Sequence, residues 1–432
     1  MKKSSTFIPL LVIGTLFAIF GFVTWINGAL IPFMKTINEL TSAQAFLVAS
    51  ASYISFVIMA LPASSILNKI GYKKGMSLGL FIMAIGALVF IPAANARIYW
   101  LFLVAIFIQG AGMTLLQTAA NPYVTILGPI ESGAKRIAMM GIANKVAGAL
   151  GSFVFGALLL SGIDEVNEKL STVSTAEKNQ LLDTMAGSVF WPYVIMAIVL
   201  TVFGLLIRKV HLPDLDISSE EKLEEGETKK TSVLQFPQLI LGVVALFFYV
   251  GVEVIAGDSI IAYGLSLGMP VEEARWFTTF TLIAMVITYA LGVVLIPKFI
   301  SQTTALKASA VLGIILSLII VNTSGYTSVL LIASLGIANA LVWPAIWPLA
   351  LDGLGKFTKT AAALLIMAIS GGAIIAPLYG QLVDRLQESY LTEGMDEVLA
   401  TSMSGNQGYW ILLPCYIVIF FYAFKGHKIK SW

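Results

Sequence analysis

Three ionisable side chains, Lys145, Glu253 and Asp258, stand inside long apolar runs. Carboxamides join them at similar depth: Gln117, Asn121 and Asn144 in one part of the chain, Asn27 and Asn339 in others. Charges and amides among lipid-soluble residues are costly unless they face partners or a wet cavity. Their types point to two chemistries. Each amide offers both a donor and an acceptor, which suits a polar solute. The carboxylates suit a cation or a proton. Glu253 and Asp258 are five residues apart, about 140° around a straight helix. Gly251 and Gly257 lie beside them and would permit a bend that turns both acids toward one cavity. Asp258 is the better candidate for a coupling site on this reading. The alternative is a structural ion pair of Lys145 with Glu253 or with Asp258.

The elements that hold these groups follow from composition. Of 432 residues 58% are hydrophobic and 12% charged, against about 25% charged for a soluble domain. Net charge is +2, so nothing points to nucleic acid. One cysteine, Cys415, excludes a disulfide framework, and the two histidines, His211 and His427, leave little for a metal or catalytic site. A membrane span needs about 20 mostly apolar residues. Twelve such runs are present: Phe7–Phe33, Gln44–Leu67, Met76–Ala94, Tyr99–Leu127, Ile137–Ser161, Phe190–Ile207, Leu239–Leu265, Arg275–Ile296, Ala305–Val321, Val329–Leu351, Thr360–Val383 and Tyr409–Phe424. The first is too long for a signal-peptide core and has no small-residue cleavage site. The expected fold is therefore an all-α membrane protein of two six-helix bundles. Residues 1–207 form the first bundle, 208–238 a cytoplasmic linker, and 239–432 the second.

Lysine and arginine set the expected orientation. Lys69, Lys73, Lys74, Lys135, Arg136, Arg208, Lys209, Lys298, Lys356 and Lys359 fall in loops on the side of the N-terminus. The opposite loops hold only Lys35, Arg97, Lys169, Lys178, Arg275 and Arg385. Both termini are expected in the cytoplasm, and the chain is expected to be monomeric. The fourth and tenth runs also overlay, placing Gln117 on Asn339 and Asn121-Pro122 on Trp343-Pro344. Each half then carries an amide five residues before a proline that should kink its helix.

The run Thr118–Ser132, T-A-A-N-P-Y-V-T-I-L-G-P-I-E-S, resembles the fucose/glucose/galactose symporter branch of the major facilitator superfamily. Trp25–Pro32, Asn68–Gly75, Phe248–Val254 and Ser370–Pro377 carry the same resemblance through most of the chain. It implies two bundles around a central cavity that opens alternately to either side, and it implies a monosaccharide substrate. Asn144 matches the branch's sugar-binding asparagine on helix five. With Asn27, Gln117, Asn121 and Asn339 it would meet sugar hydroxyls, while Trp25, Trp343 or Trp347 would stack on the C–H face of the ring.

Two departures bear on coupling. Proton-coupled fucose carriers of the branch have an aspartate where this chain has Gly28, and a glutamate where it has Gln117. With both acids missing, the expectation leans to Na⁺ over H⁺, near Asp258, and an uncoupled hexose facilitator is the alternative. Carriers of fucose or N-acetylglucosamine, and a sugar receptor that moves nothing, share the same residues. An intramembrane enzyme would need a cluster of nucleophile, base or metal ligands, and none is visible. No cofactor is expected beyond the coupling ion.

Overall fold

The computed structural model describes residues 7–126, 133–160, 163–170, 172–210, 231–296, 298–354 and 357–431. Most of the 208–238 linker, and the loop holding Glu131 and Ser132, lie outside them. Eleven described helices are long and apolar enough to cross a membrane, and a twelfth span is made by two segments, Ser42–Val48 and Ser50–Ala60, that meet at 45°. In chain order the spans are α1 (Pro9–Ile37), α2 (Ser42–Ile70), α3 (Tyr72–Asn95), α4 (Tyr99–Ile126), α5 (Gly133–Leu159) and α6 (Thr175–Lys209) in the first bundle. The second bundle has α7 (Pro237–Asp258), α8 (Val271–Leu295), α9 (Gln302–Ile320), α10 (Gly325–Leu351), α11 (Leu364–Thr392) and α12 (Glu397–Lys428).

Two helices begin far earlier than hydropathy suggests. α6 reaches back to Thr175 because Ser174 and Glu177 form a capping box that satisfies its first backbone N–H groups. α12 reaches back to Glu397 because the Asp396 carboxylate accepts from the Val398 and Leu399 N–H groups. Between α2 and α3 the chain reverses in a single residue, Gly71, whose φ of 78° only glycine adopts cheaply.

Within a bundle the helices meet through small residues, as expected where lipid supplies no hydrophobic drive between them. A Cβ on Gly79 of α3 would sit 2.7 Å from the Gly112 carbonyl of α4. The outward surfaces of the spans are apolar, with Leu150, Ile195, Ile198, Leu291 and Ile417 all exposed. Those side chains belong against acyl chains.

The two bundles touch along two ladders that start at the end distal to the termini and reach the middle. Between α2 and α11, the Ser42 and Ala43 N–H groups donate to the Asp384 carboxylate at 3.1 and 2.9 Å. Below them Phe46 packs edge-on against Tyr379, and the Ser50 hydroxyl donates to the Ala373 carbonyl at 2.7 Å. Between α5 and α8, Phe153 stacks on Trp276 with ring centres 3.8 Å apart, and the Thr279 hydroxyl donates to the Ala149 carbonyl at 3.2 Å. Among the described residues, no hydrogen bond between the bundles lies nearer the termini than the one at Lys145. The molecule is therefore closed on its distal side.

Candidate functional site

The centre of the molecule is where α1, α5, α7 and α8 converge. Lys145 of α5 donates to Glu253 of α7 at 2.7 Å, so the ion pair bridges the two bundles. The same ammonium sits 4.1 Å above the centre of the Trp25 ring of α1. Removing two charges from water is costly, and a close partner plus a cation–π contact offset part of that cost. Lys145 thus pairs with Glu253, which settles the choice between the two acids.

Glu253 and Asp258 do not converge by a bend between them. α7 is an unbroken helix through both acids and ends at Asp258; a short segment, Ile260–Ser266, continues after Ser259. The expected bend fails because the two glycines serve close packing instead. A Cβ on Gly251 would meet Ile375 of α11 at 2.6 Å, and one on Gly257 would meet Trp25 at 2.2 Å. The acids consequently have different surroundings. Glu253 has its ammonium, whereas Asp258 is 1% exposed and neither carboxyl oxygen has a hydrogen-bond partner among the described residues. A buried acid without a donor is an expensive arrangement for a carboxylate. The site suits a neutral carboxylic acid, or a carboxylate that has just taken up a cation.

The hydroxyl-rich start of α8 closes over this point. Thr278 donates to the Gly257 carbonyl at 2.6 Å and Thr281 to the Ala256 carbonyl at 3.3 Å. Gly28 of α1 lies against the same place, since a Cβ there would be 2.6 Å from the Thr278 hydroxyl and 3.4 Å from the Gly257 carbonyl. No larger side chain at residue 28 fits this arrangement. Sequence reasoning passed over Thr278, and it gave Gly257 a bend rather than a close contact. The triplet Thr278, Thr279 and Thr281 at the head of an apolar run was the signal available.

The amides disperse more than the sequence suggests. Gln117 is half-buried on α4, and its amide has no hydrogen-bond partner among the described residues. Asn144 turns toward α1, where its Nδ2 donates to the Phe17 carbonyl at 3.2 Å. Asn339 is wholly buried inside the second bundle; its Oδ1 accepts from the Tyr416 hydroxyl of α12 at 2.7 Å, and its Nδ2 is unpartnered. Asn27 and Asn121 fall on helices, but their side chains lie outside the described ones. Trp343 and Trp347 stack on each other, ring centres 5.4 Å apart, both half-buried. Trp25 is buried, with Lys145 over its ring and Gly148 and Gly257 at opposite edges. The proposed repeat is also unequal. α4 runs through Pro122 to Ile126, whereas α10 breaks at Leu341, ahead of Pro344.

An ion pair between the bundles and, beside it, a buried acid with no hydrogen-bond partner among the described residues thus mark the centre of the molecule. Known proteins share this chain's sequence and fold. The chain is 32% identical over 420 residues to the glucose/galactose transporter of Brucella abortus, covering 96% of this chain and 92% of that one. It is 30% identical over 389 residues to the L-fucose-proton symporter of Escherichia coli K12, covering 89% and 88%. In structure it matches the transporter FucP in its outward conformation with a TM-score of 0.70 at 28% identity, over 97% of this chain and 98% of that one. An inward-facing bacterial homologue of the lysosomal transporter Spinster matches at 0.69 and 15% identity, a likeness of fold alone. The profile of the Major Facilitator Superfamily spans residues 12–377, and the chain belongs to that superfamily.

Proposed function

We propose that the protein imports a hexose-class monosaccharide by alternating access, coupled to protons through Asp258. The observation that carries the coupling is the unpartnered, buried carboxyl of Asp258 beside an ion pair shared by the two bundles. The substrate class is supported by relatives named for glucose, galactose and fucose. On this reading the termini are cytoplasmic, the distal ladders close the outer face of a bacterial inner membrane, and the structure faces inward.

The sequence alone leaned to Na⁺, because the two acids of fucose carriers are missing at Gly28 and Gln117. The surroundings of Asp258 weigh the other way. A sodium ion needs several oxygen ligands at once, whereas the nearby Gly257 and Ala256 carbonyls each already give one lone pair to a threonine. A proton needs only the one carboxyl. A Cβ on residue 28 would also lie 3.4 Å from the carbonyl of the residue next to Asp258. The acid is thus supplied from α7 close to where fucose carriers supply it from α1. A relative named as a proton symporter fits this reading.

The sugar would enter between Gln117, whose amide has no hydrogen-bond partner among the described residues, and the Trp343–Trp347 stack, with Asn144 joining as α1 and α5 shift. Uptake in proteoliposomes, with proton and sodium gradients imposed separately, tests the coupling. A proton gradient alone should drive accumulation. Asp258→Asn should abolish accumulation while leaving exchange of labelled for unlabelled sugar intact. Accumulation driven by sodium alone, or by neither gradient, would refute proton coupling.

A further inference from the structure

Trp25 sits at the crossing of all three central contacts. Its ring lies under the Lys145 ammonium at 4.1 Å. Its Cδ1 edge is 2.4 Å from where a Cβ on Gly148 would be, and its Cζ3 edge is 2.2 Å from where one on Gly257 would be. The indole is therefore wedged between a glycine of its own bundle and a glycine of the other. The residue after Gly257 is Asp258, which is 1% exposed. The Thr278 hydroxyl, bound to the Gly257 carbonyl, covers the same backbone from α8.

We infer that Trp25 and Gly257 form the inner seal of the distal gate, a Trp-into-glycine contact that shuts Asp258 off from distal water when the bundles close. Neither neighbour can be bulkier. The indole is rigid and its opposite edge is already against Gly148, so it cannot retreat from a methyl group on residue 257. When the distal side opens, α1 and α7 separate, the ring leaves Gly257, and water reaches the carboxyl. The same movement breaks the Lys145–Glu253 bond, because Lys145 travels with α1 and α5 while Glu253 travels with α7. Proton loading and opening are then one event: the carboxylate oxygen accepts its proton from distal water only while the wedge is out. The link to proton loading rests on the reading of Asp258 given above; the seal itself does not.

The two parts separate in experiment. Gly257→Ala in proteoliposomes should slow hexose counterflow, which needs no ion gradient, at least tenfold at unchanged protein content. It should also raise labelling of a Ser50→Cys thiol, in a Cys415→Ala background, by an impermeant maleimide added from the distal side. Adding Trp25→Leu to Gly257→Ala should reverse both effects, because the wedge and the obstacle are then removed together. Counterflow within twofold of the parent in Gly257→Ala, or no recovery in the double variant, would overturn the inference. Should Gly257→Ala fail to reach the membrane, Trp25→Leu alone decides. It should leak protons in the absence of sugar, and a leak no larger than the parent's would overturn it.

Discussion

At the scale of single residues, the Lys145–Glu253 pair is worth more as a matched set than as two charges. Their side chains are only 9% and 14% exposed. Deleting one partner strands the other charge at membrane depth, which costs about 3–5 kcal/mol for buried pairs, whereas neutralising both is often nearly free. Lys145→Met and Glu253→Gln should each lower the thermal unfolding midpoint in detergent by several degrees. The double variant should recover most of the loss. Additive losses in the double would mean that the two residues do not act as a pair. This pairing was only half legible in the sequence. That three ionisable groups in apolar runs must find partners follows from solvation alone. Which acid takes the lysine depends on the rotation of α7 against α5, and no residue pattern encodes that rotation directly.

At the scale of helices, the twelve spans were readable because lipid imposes length and composition on each one. Their ends were not, because capping residues rather than hydropathy decide them. Ser174 with Glu177, and Asp396, add whole turns to α6 and α12 that lie beyond the apolar runs. The expected symmetry of α4 and α10 also broke down at this scale. The sequence shows an amide five residues before a proline in each, but helix packing treats them differently. Gln117 remains half-exposed, while Asn339 is drawn into the second bundle by Tyr416. Tyr416→Phe should leave both polar atoms of Asn339 unpartnered beside the break at Leu341. The cost should be about 1–3 kcal/mol, the usual penalty for stranding a buried polar group. Thermal unfolding of the variant checks this, and an unchanged midpoint would assign Asn339 another partner.

At the scale of the whole molecule, the arrangement of bundles could not be read from sequence, since no local pattern says which of two open sides is favoured. The contacts do. The outermost rung of the distal closure is Asp384 of α11, whose two carboxyl oxygens accept the Ser42 and Ala43 N–H groups of the other bundle. Those N–H groups belong to the first turn of α2, so the carboxylate also meets the positive end of the helix dipole. Lys35, bonded to the Ser42 hydroxyl, stands in the same corner. Asp384→Asn keeps one acceptor oxygen but loses the charge and turns the other position into a donor facing an N–H. The loss should be about 1.5 kcal/mol, within the range for hydrogen bonds to a charged group, and since it is felt only in the distally closed state it moves the equilibrium roughly tenfold toward distal opening. Spin labels on the exposed Ala96 and Glu388, at distal ends of opposite bundles, would read this as a larger population at long distance. The variant should still fold normally, because the bonds lie between bundles rather than within one. An unchanged distance distribution would show that the lower rungs, Ser50 on Ala373 and Phe153 on Trp276, hold the closure without it.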